Sequence, residues 1–100
     1  MAVMSDFNRT ISAPPELGVE TRSAFREAAF GELSRLPEQG TLNIDLEETR
    51  RVDSAGLSAL LLVQRRAAER SQRVVLRNLS DELRYLLALT EMAELFDTGG

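Results

Sequence analysis

The spacing of apolar positions changes repeatedly along this chain, and each change predicts an element. Arg9-Thr10-Ile11-Ser12 reads as a short strand. Ala13-Pro14-Pro15-Glu16 interrupts it, because neither proline can donate to a ladder. From about Val19 the period becomes helical: Ala24, Phe25, Ala28, Ala29, Leu33 and Leu36 recur at that spacing, with Arg22, Arg26, Glu27 and Glu32 between them. Glu20 or Thr21 lies near the start of this helix, and Pro37 and Gly40 close it. Thr41-Leu42-Asn43-Ile44-Asp45-Leu46 alternates apolar and polar, the period of a strand. Glu47 to Arg50 reads as a loop.

Val52 leads into Asp53-Ser54-Ala55-Gly56, after which a long helix is expected, roughly from Gly56 to Arg70. Leu57, Leu60, Leu61, Gln64 and Ala68 mark one side of it; Leu62 and Val63 widen the apolar surface, and Arg65, Arg66, Glu69 and Arg70 solvate the last turns. Arg73-Val74-Val75-Leu76-Arg77 is a second strong strand, continuously apolar at its centre like a strand covered on both faces. Ser80 or Asp81 can cap a last helix running to about Ala93, with Leu83, Leu86, Leu87 and Thr90 on its core side. Tyr85 lies off that side and reads as a partial surface anchor or a partner contact. Leu95-Phe96 should pin the end, while residues 1–8 and 97–100 are expected to be loose. Strands alternating with helices predict an α/β fold with a mostly parallel sheet and right-handed crossovers. In such sheets partners favour the carboxyl ends of the strands, and the Asp53 corner lies at one of them.

Composition narrows the chemistry. One hundred residues fit a single domain with one core. A formal net charge of -4 with interspersed signs disfavours nucleic acid as a partner. With no cysteine and no histidine, the chain lacks thiolate ligands, disulfides, the commonest general base and the commonest metal ligand. The serines have no base to activate them, and no glycine-rich phosphate loop is present. An enzyme is therefore not expected, and no cofactor. No apolar run approaches the roughly 18 residues of a membrane span, so membrane insertion is not expected and a cytoplasmic setting is the default. Asp45, Glu47, Glu48 and Asp53 gather carboxylates near one end of the sheet. They read as a solvated acidic rim, a Mg²⁺ site being the conceivable alternative. Arg65, Arg66 and Arg70 read as a solvated basic face rather than a nucleic-acid site.

The corner at residues 53–57 carries the most chemistry. Asp53 or Ser54 can accept a hydrogen bond from a free N–H of the first helical turn, worth about 1 kcal/mol. Gly56 lets another surface approach the backbone, or allows tight helix–sheet packing. Leu57 starts the buried stripe. The bland meaning is a capped helix start; the functional one is a polar, dipole-positive corner shown to a partner. A phosphate on Ser54 would suit this place electrostatically, since anions are favoured at helix N-termini.

Leu42-Asn43-Ile44-Asp45-Leu46, Val52-Asp53-Ser54-Ala55-Gly56-Leu57, Arg73-Val74-Val75-Leu76, Leu86-Leu87-Ala88-Leu89-Thr90 and Leu95-Phe96, in this order over most of the chain, resemble the STAS family. Its members include bacterial anti-sigma factor antagonists. The resemblance implies a single small α/β domain, with a small mixed, mostly parallel sheet and helices packed mainly on one side. It implies a protein that binds other proteins and performs no chemistry. In the sigma-factor branch the antagonist binds an anti-sigma kinase and frees the sigma factor, until phosphorylation by that kinase ends the binding. The implied contact residues are Asp53, Ser54, Ala55, Gly56, Leu57 and Ser58. In phosphorylated antagonists the acceptor usually directly precedes the glycine; here that residue is Ala55, which has no hydroxyl, and Ser54 is the candidate substitute. The Asp-hydroxyl-Ala-Gly pattern is also similar to a second STAS branch, which binds the ATPase of phospholipid-trafficking ABC transporters. Many members open with a β-hairpin, whereas little precedes Pro14 here. That implies a strand missing or supplied by another subunit, an exposed sheet edge and a homodimer. The expected function is a partner-switching regulator of the antagonist kind, with the accessory subunit of a transporter ATPase as alternative. A nucleotide-binding module or small enzyme is the reading from a different class.

Overall fold

The structure, a computed structural model, describes residues 7–98. In chain order it contains β1 (Asn8–Ser12), β2 (Glu16–Leu17), α1 (Arg22–Arg35), β3 (Thr41–Asp45), β4 (Arg51–Val52), α2 (Ser54–Glu69), β5 (Arg73–Arg77) and α3 (Asp81–Leu89). A 3-10 turn, Ala93–Leu95, follows. The strands pair in parallel, β1-β3-β5 in one sheet and β2-β4 in another. Thr10, Asn43 and Val75 lie side by side across the first, and Leu17 faces Val52 in the second.

β2 and β4 are the elements the spacing did not suggest, and their origin is local. Pro14 and Pro15 break the ladder of β1, as expected, but the interruption is matched in the neighbouring strand by residues 46–50. Ala13 N still donates to Asp45 O (2.9 Å), Arg50 N donates to Pro15 O (2.8 Å) and the Thr49 hydroxyl donates to Pro14 O (2.9 Å). The two chains then pair again for two residues. This carries β4 past the end of β3 and delivers Asp53 beyond the sheet.

The core sits on one face of the three-stranded sheet. Leu42, Ile44, Val74 and Leu76 meet Phe25, Ala29 and Leu33 of α1, Leu60, Val63 and Ala67 of α2, and Leu83 and Leu87 of α3. On the opposite face Asn43 is buried among polar partners. Its amide donates to Arg9 O (3.2 Å) and Asn8 Oδ1 (3.4 Å), and its Oδ1 accepts from Arg77 Nε (3.2 Å). The centre of β5 is buried throughout, as expected of a strand covered on both faces: Val74 and Leu76 join the main cluster, and Val75 is buried on the polar face.

Three expectations about helices are corrected. In α1, Ala24 and Ala28 are exposed, because Phe25, Ala29, Leu33 and Leu36 alone fill the inward stripe. In α2 the buried stripe is Gly56, Ala59, Leu60, Val63 and Ala67. Of the expected side of Leu57, Leu60, Leu61, Gln64 and Ala68, only Leu60 belongs to it; the stripe is rotated by about one position, since the close seat of Gly56 decides which side faces inward. α3 ends at Leu89 rather than near Ala93. Glu91 takes the left-handed conformation (φ 60°), and Met92 N turns back to Leu87 O (2.9 Å), which terminates the helix. Thr90 is accordingly exposed, its hydroxyl donating to Leu86 O (2.9 Å).

At the chain's ends, Phe96 is buried and Leu95 is not. Asp97 is not loose: it bridges Val75, its carbonyl accepts from Leu76 N (2.7 Å), and its carboxylate pairs with Arg73. Asn8 is likewise tied, as the first residue of β1. The expectations for residues 1–6 and 99–100 lie outside the described residues.

Candidate functional site

α2 begins where the sequence placed the corner, and its first turn is held by the Asp53 side chain and by the carbonyls of Leu17 and Asp53. Asp53 has extended backbone (φ -95°, ψ -174°) and caps α2, its Oδ1 accepting from Gly56 N (2.9 Å). The helix thus starts at Ser54, two residues earlier than expected, because Asp53 rather than Ser54 supplies the cap. The second carboxylate oxygen reaches across to Val19 N (3.4 Å), in the loop that follows β2. Asp53 N donates to Leu17 O (3.3 Å), and Leu57 N closes the first helical turn onto Asp53 O (2.9 Å).

Two glycines permit this junction. A Cβ on Gly56 would stand 2.0 Å from Leu17 O, so only glycine lets the first turn of α2 sit against β2. A Cβ on Gly18 would stand 2.5 Å from Asp53 Oδ2. Thr21, expected near the start of α1, is its N-cap but makes no capping bond. Its hydroxyl instead donates to Glu16 O (2.7 Å) and accepts from Gly18 N (3.0 Å), closing the loop that Asp53 leans on.

The six expected contact residues separate by exposure. Asp53, Ser54 and Ser58 are exposed, Ala55 and Leu57 are half-buried, and Gly56 is buried. Gly56 is therefore a packing residue whose surroundings are Leu17 and Val52. The residue that sequence reasoning missed is Val19. Its position suggests the start of a helical period, yet it lies in a loop with 65% of its surface exposed, beside Asp53. Its signal was the preceding Gly18, which the proline pair overshadowed. Val19, Glu20, Arg51 and Asp53 line a shallow groove of about 310 Å³ next to the start of α2.

Of the four carboxylates expected near this end of the sheet, Glu47 and Glu48 are exposed, as a solvated acidic rim would be, and Asp53 caps α2. Asp45 accepts from Asn78 Nδ2 (2.9 Å) and Glu47 N (3.0 Å), and these bonds hold its carboxyl below the ordinary carboxylate range, the Asn78 bond most. Among the described residues no three acidic side chains converge as a metal-ligand group. Of the expected basic face, Arg66 has its Cζ over the Phe30 ring, 4.2 Å from the centroid. Tyr85 is 67% exposed, so it does not anchor α3 to the domain. Among the described residues no helix is long and apolar enough to cross a membrane.

The observation that decides the family is a match over nearly the whole chain, residues 3–97, to the family model STAS_2, described as "Mlab, STAS domain". This chain belongs to the STAS_2 family. No curated protein matches it in sequence at a significant level. The STAS domain is similar in structure to a candidate anti-sigma factor antagonist from Thermotoga maritima, with a TM-score of 0.73 and 16% identity over 88% of this chain and 76% of that one. It is also similar to a sulfate transporter family protein from Wolinella succinogenes (TM-score 0.70, 17% identity, 87% and 69% of the two chains). A further similar structure is the anti-sigma factor antagonist SpoIIAA in its unphosphorylated form (TM-score 0.63, 18% identity, 84% and 76%). At these identities the likeness is one of fold.

Proposed function

We propose that this STAS domain is a non-catalytic, protein-binding regulator of the partner-switching type, resembling an anti-sigma factor antagonist, and that it docks through the Asp53–Leu57 corner. The supporting observation is the division of labour at that corner. The Asp53 carboxylate is engaged with Gly56 N and Val19 N, which fixes the junction, while Ser54 and Ser58 stay exposed with Val19 beside them. A partner meets two hydroxyls and an apolar side chain on a backbone that is already ordered, so little conformational entropy is lost on docking. A phosphate on Ser54 would sit on the first residue of α2, where the helix dipole favours negative charge and the fold tolerates it. The same charge would face a docked partner and weaken it. The setting that goes with this reading is a single cytoplasmic domain, free of cofactor. Because β1 lies at an edge of its sheet, two copies pairing there as a homodimer belong to the same reading.

A second reading has its own support. Ala55, which directly precedes Gly56, carries no hydroxyl and is half-buried. A corner without the usual acceptor suits a constitutive partner, such as the ATPase of a phospholipid-trafficking ABC transporter with this domain as accessory subunit.

The test uses the whole chain as bait in native lysate, wild type beside Ser54→Asp. The expected result is a thermal midpoint within about 2 °C of wild type, because an acidic residue suits a helix start. Capture of the partner should fall about tenfold or more, equivalent to roughly 1.4 kcal/mol. Unchanged capture would confine Ser54 to a structural role. A kinase-like anti-sigma protein in the captured fraction supports the first reading, a transporter ATPase the second.

A further inference from the structure

Ser54, Ser58, Leu62 and Arg65 lie one above another on α2, so a single exposed stripe runs from the corner down the helix. Leu62 keeps 41% of its surface exposed on that stripe. Alongside it α1 packs against α2, and the two helices enclose a groove of about 470 Å³ lined by Arg26 and Phe30 of α1 and by Leu62, Arg65, Arg66 and Glu69 of α2. The ion pairs among the described residues use Arg9, Arg35 and Arg73, and none uses the three arginines of this groove. Arg66 sits over the Phe30 ring and makes no ion pair among the described residues, so its guanidinium is held in place with its charge available to a carboxylate. A chain of net charge -4 thus carries, two turns and more down α2 from its corner, a basic groove with an apolar floor.

We propose that this groove receives an acidic amphipathic helix of the partner protein, its carboxylates on Arg26, Arg65 and Arg66 and an apolar side chain on Leu62 and Phe30. The inference rests on the proposed docking at the corner and names the partner chemistry of the adjoining surface. Charge complementarity selects an acidic occupant. The apolar floor and the single carboxylate of Glu69 favour a protein helix over a nucleic acid, whose binding grows with the number of phosphates neutralised.

The experiment measures fluorescence anisotropy of the full chain with four probes. These are an amphipathic peptide with Glu on its polar side and Leu on its apolar side, the same peptide with Lys for Glu, a short DNA duplex, and phosphatidylglycerol vesicles. The acidic peptide is expected to bind, to weaken about tenfold or more in Arg65→Glu/Arg66→Glu, and to weaken as salt rises from about 50 to about 300 mM. Ser54→Asp should leave peptide binding largely intact, since it changes the other end of the stripe. Equal binding of the lysine peptide, no binding of the acidic one, or preferred binding of DNA or vesicles overturns the proposal. Partner capture by the double-arginine variant separates the two ideas. Capture lost in Ser54→Asp but intact in Arg65→Glu/Arg66→Glu overturns the groove and leaves the corner standing. Capture lost in both supports both, and capture lost in neither overturns both. Unchanged thermal midpoints show that each variant is folded.

Discussion

At Gly56 the first turn of α2 and the Leu17 carbonyl are closer than any side chain permits, since a Cβ there would lie 2.0 Å from the oxygen. Gly56→Ala must push the helix off β2, and a loss of about 3 kcal/mol or more is expected in urea unfolding. Asp53→Ala is milder: losing the cap costs about 1 kcal/mol, and the amides of Gly56 and Val19 should exchange faster with deuterium. Asp45, at the end of β3, contributes to acid sensitivity. Its folded-state value is lowered, so its contribution to stability is present above the unfolded value and is lost as pH falls through the folded one. Asn78 is the main cause and sits at φ 58°, which glycine also accepts. Asn78→Gly should therefore move the Asp45 titration upward, read from its side-chain carboxyl carbon by NMR, with the fold retained. At this scale the cap was legible, because Asp and Ser before a leucine-rich run have a side-chain reason to be there. Val19 was not: an apolar residue before a helical period looks like part of it, and only the carboxylate of Asp53, 34 residues away, shows otherwise.

Among the elements, the long ones were legible and the short ones were not. β3, β5 and α2 each carry enough apolar residues to show a period, whereas β2 and β4 are two residues long and exist only through each other. The rotation of the α2 stripe has a related cause. Leu57, Leu60, Leu61, Leu62 and Val63 offer apolar residues on nearly every side, so composition does not choose the inward one; packing of Gly56 and Ala59 does. Gln72 shows a tie no local pattern reveals. Its amide donates to Leu33 O (2.9 Å) and Leu36 O (2.8 Å), fastening the end of α1 to the approach to β5. Gln72→Met keeps the volume but leaves Leu36 O without its donor, while Leu33 O keeps Leu36 N (3.1 Å), and should cost about 1 kcal/mol in chemical denaturation.

Over the whole molecule, parallel pairing places the starts of α2 and α3 at the same end of the sheet, while the polar face and the C-terminal segment lie away from it. That architecture was readable from alternating strands and helices, and the STAS family match over residues 3–97 accords with it. The direction of the charge was less readable. A net charge of -4 disguises a basic groove, because Arg26 and the Arg65–Arg66 pair are far apart in sequence and meet only when α1 packs on α2. The proposed partner contact lies at the start of α2. The direct measurement is an amide chemical-shift map of the isotope-labelled chain on adding the captured partner. The expected result is that the largest changes fall on Val19 and residues 53–58 and continue down α2 toward Leu62. Changes centred instead on β1, or on the polar face around Thr10 and Asn43, with the start of α2 undisturbed, would contradict it.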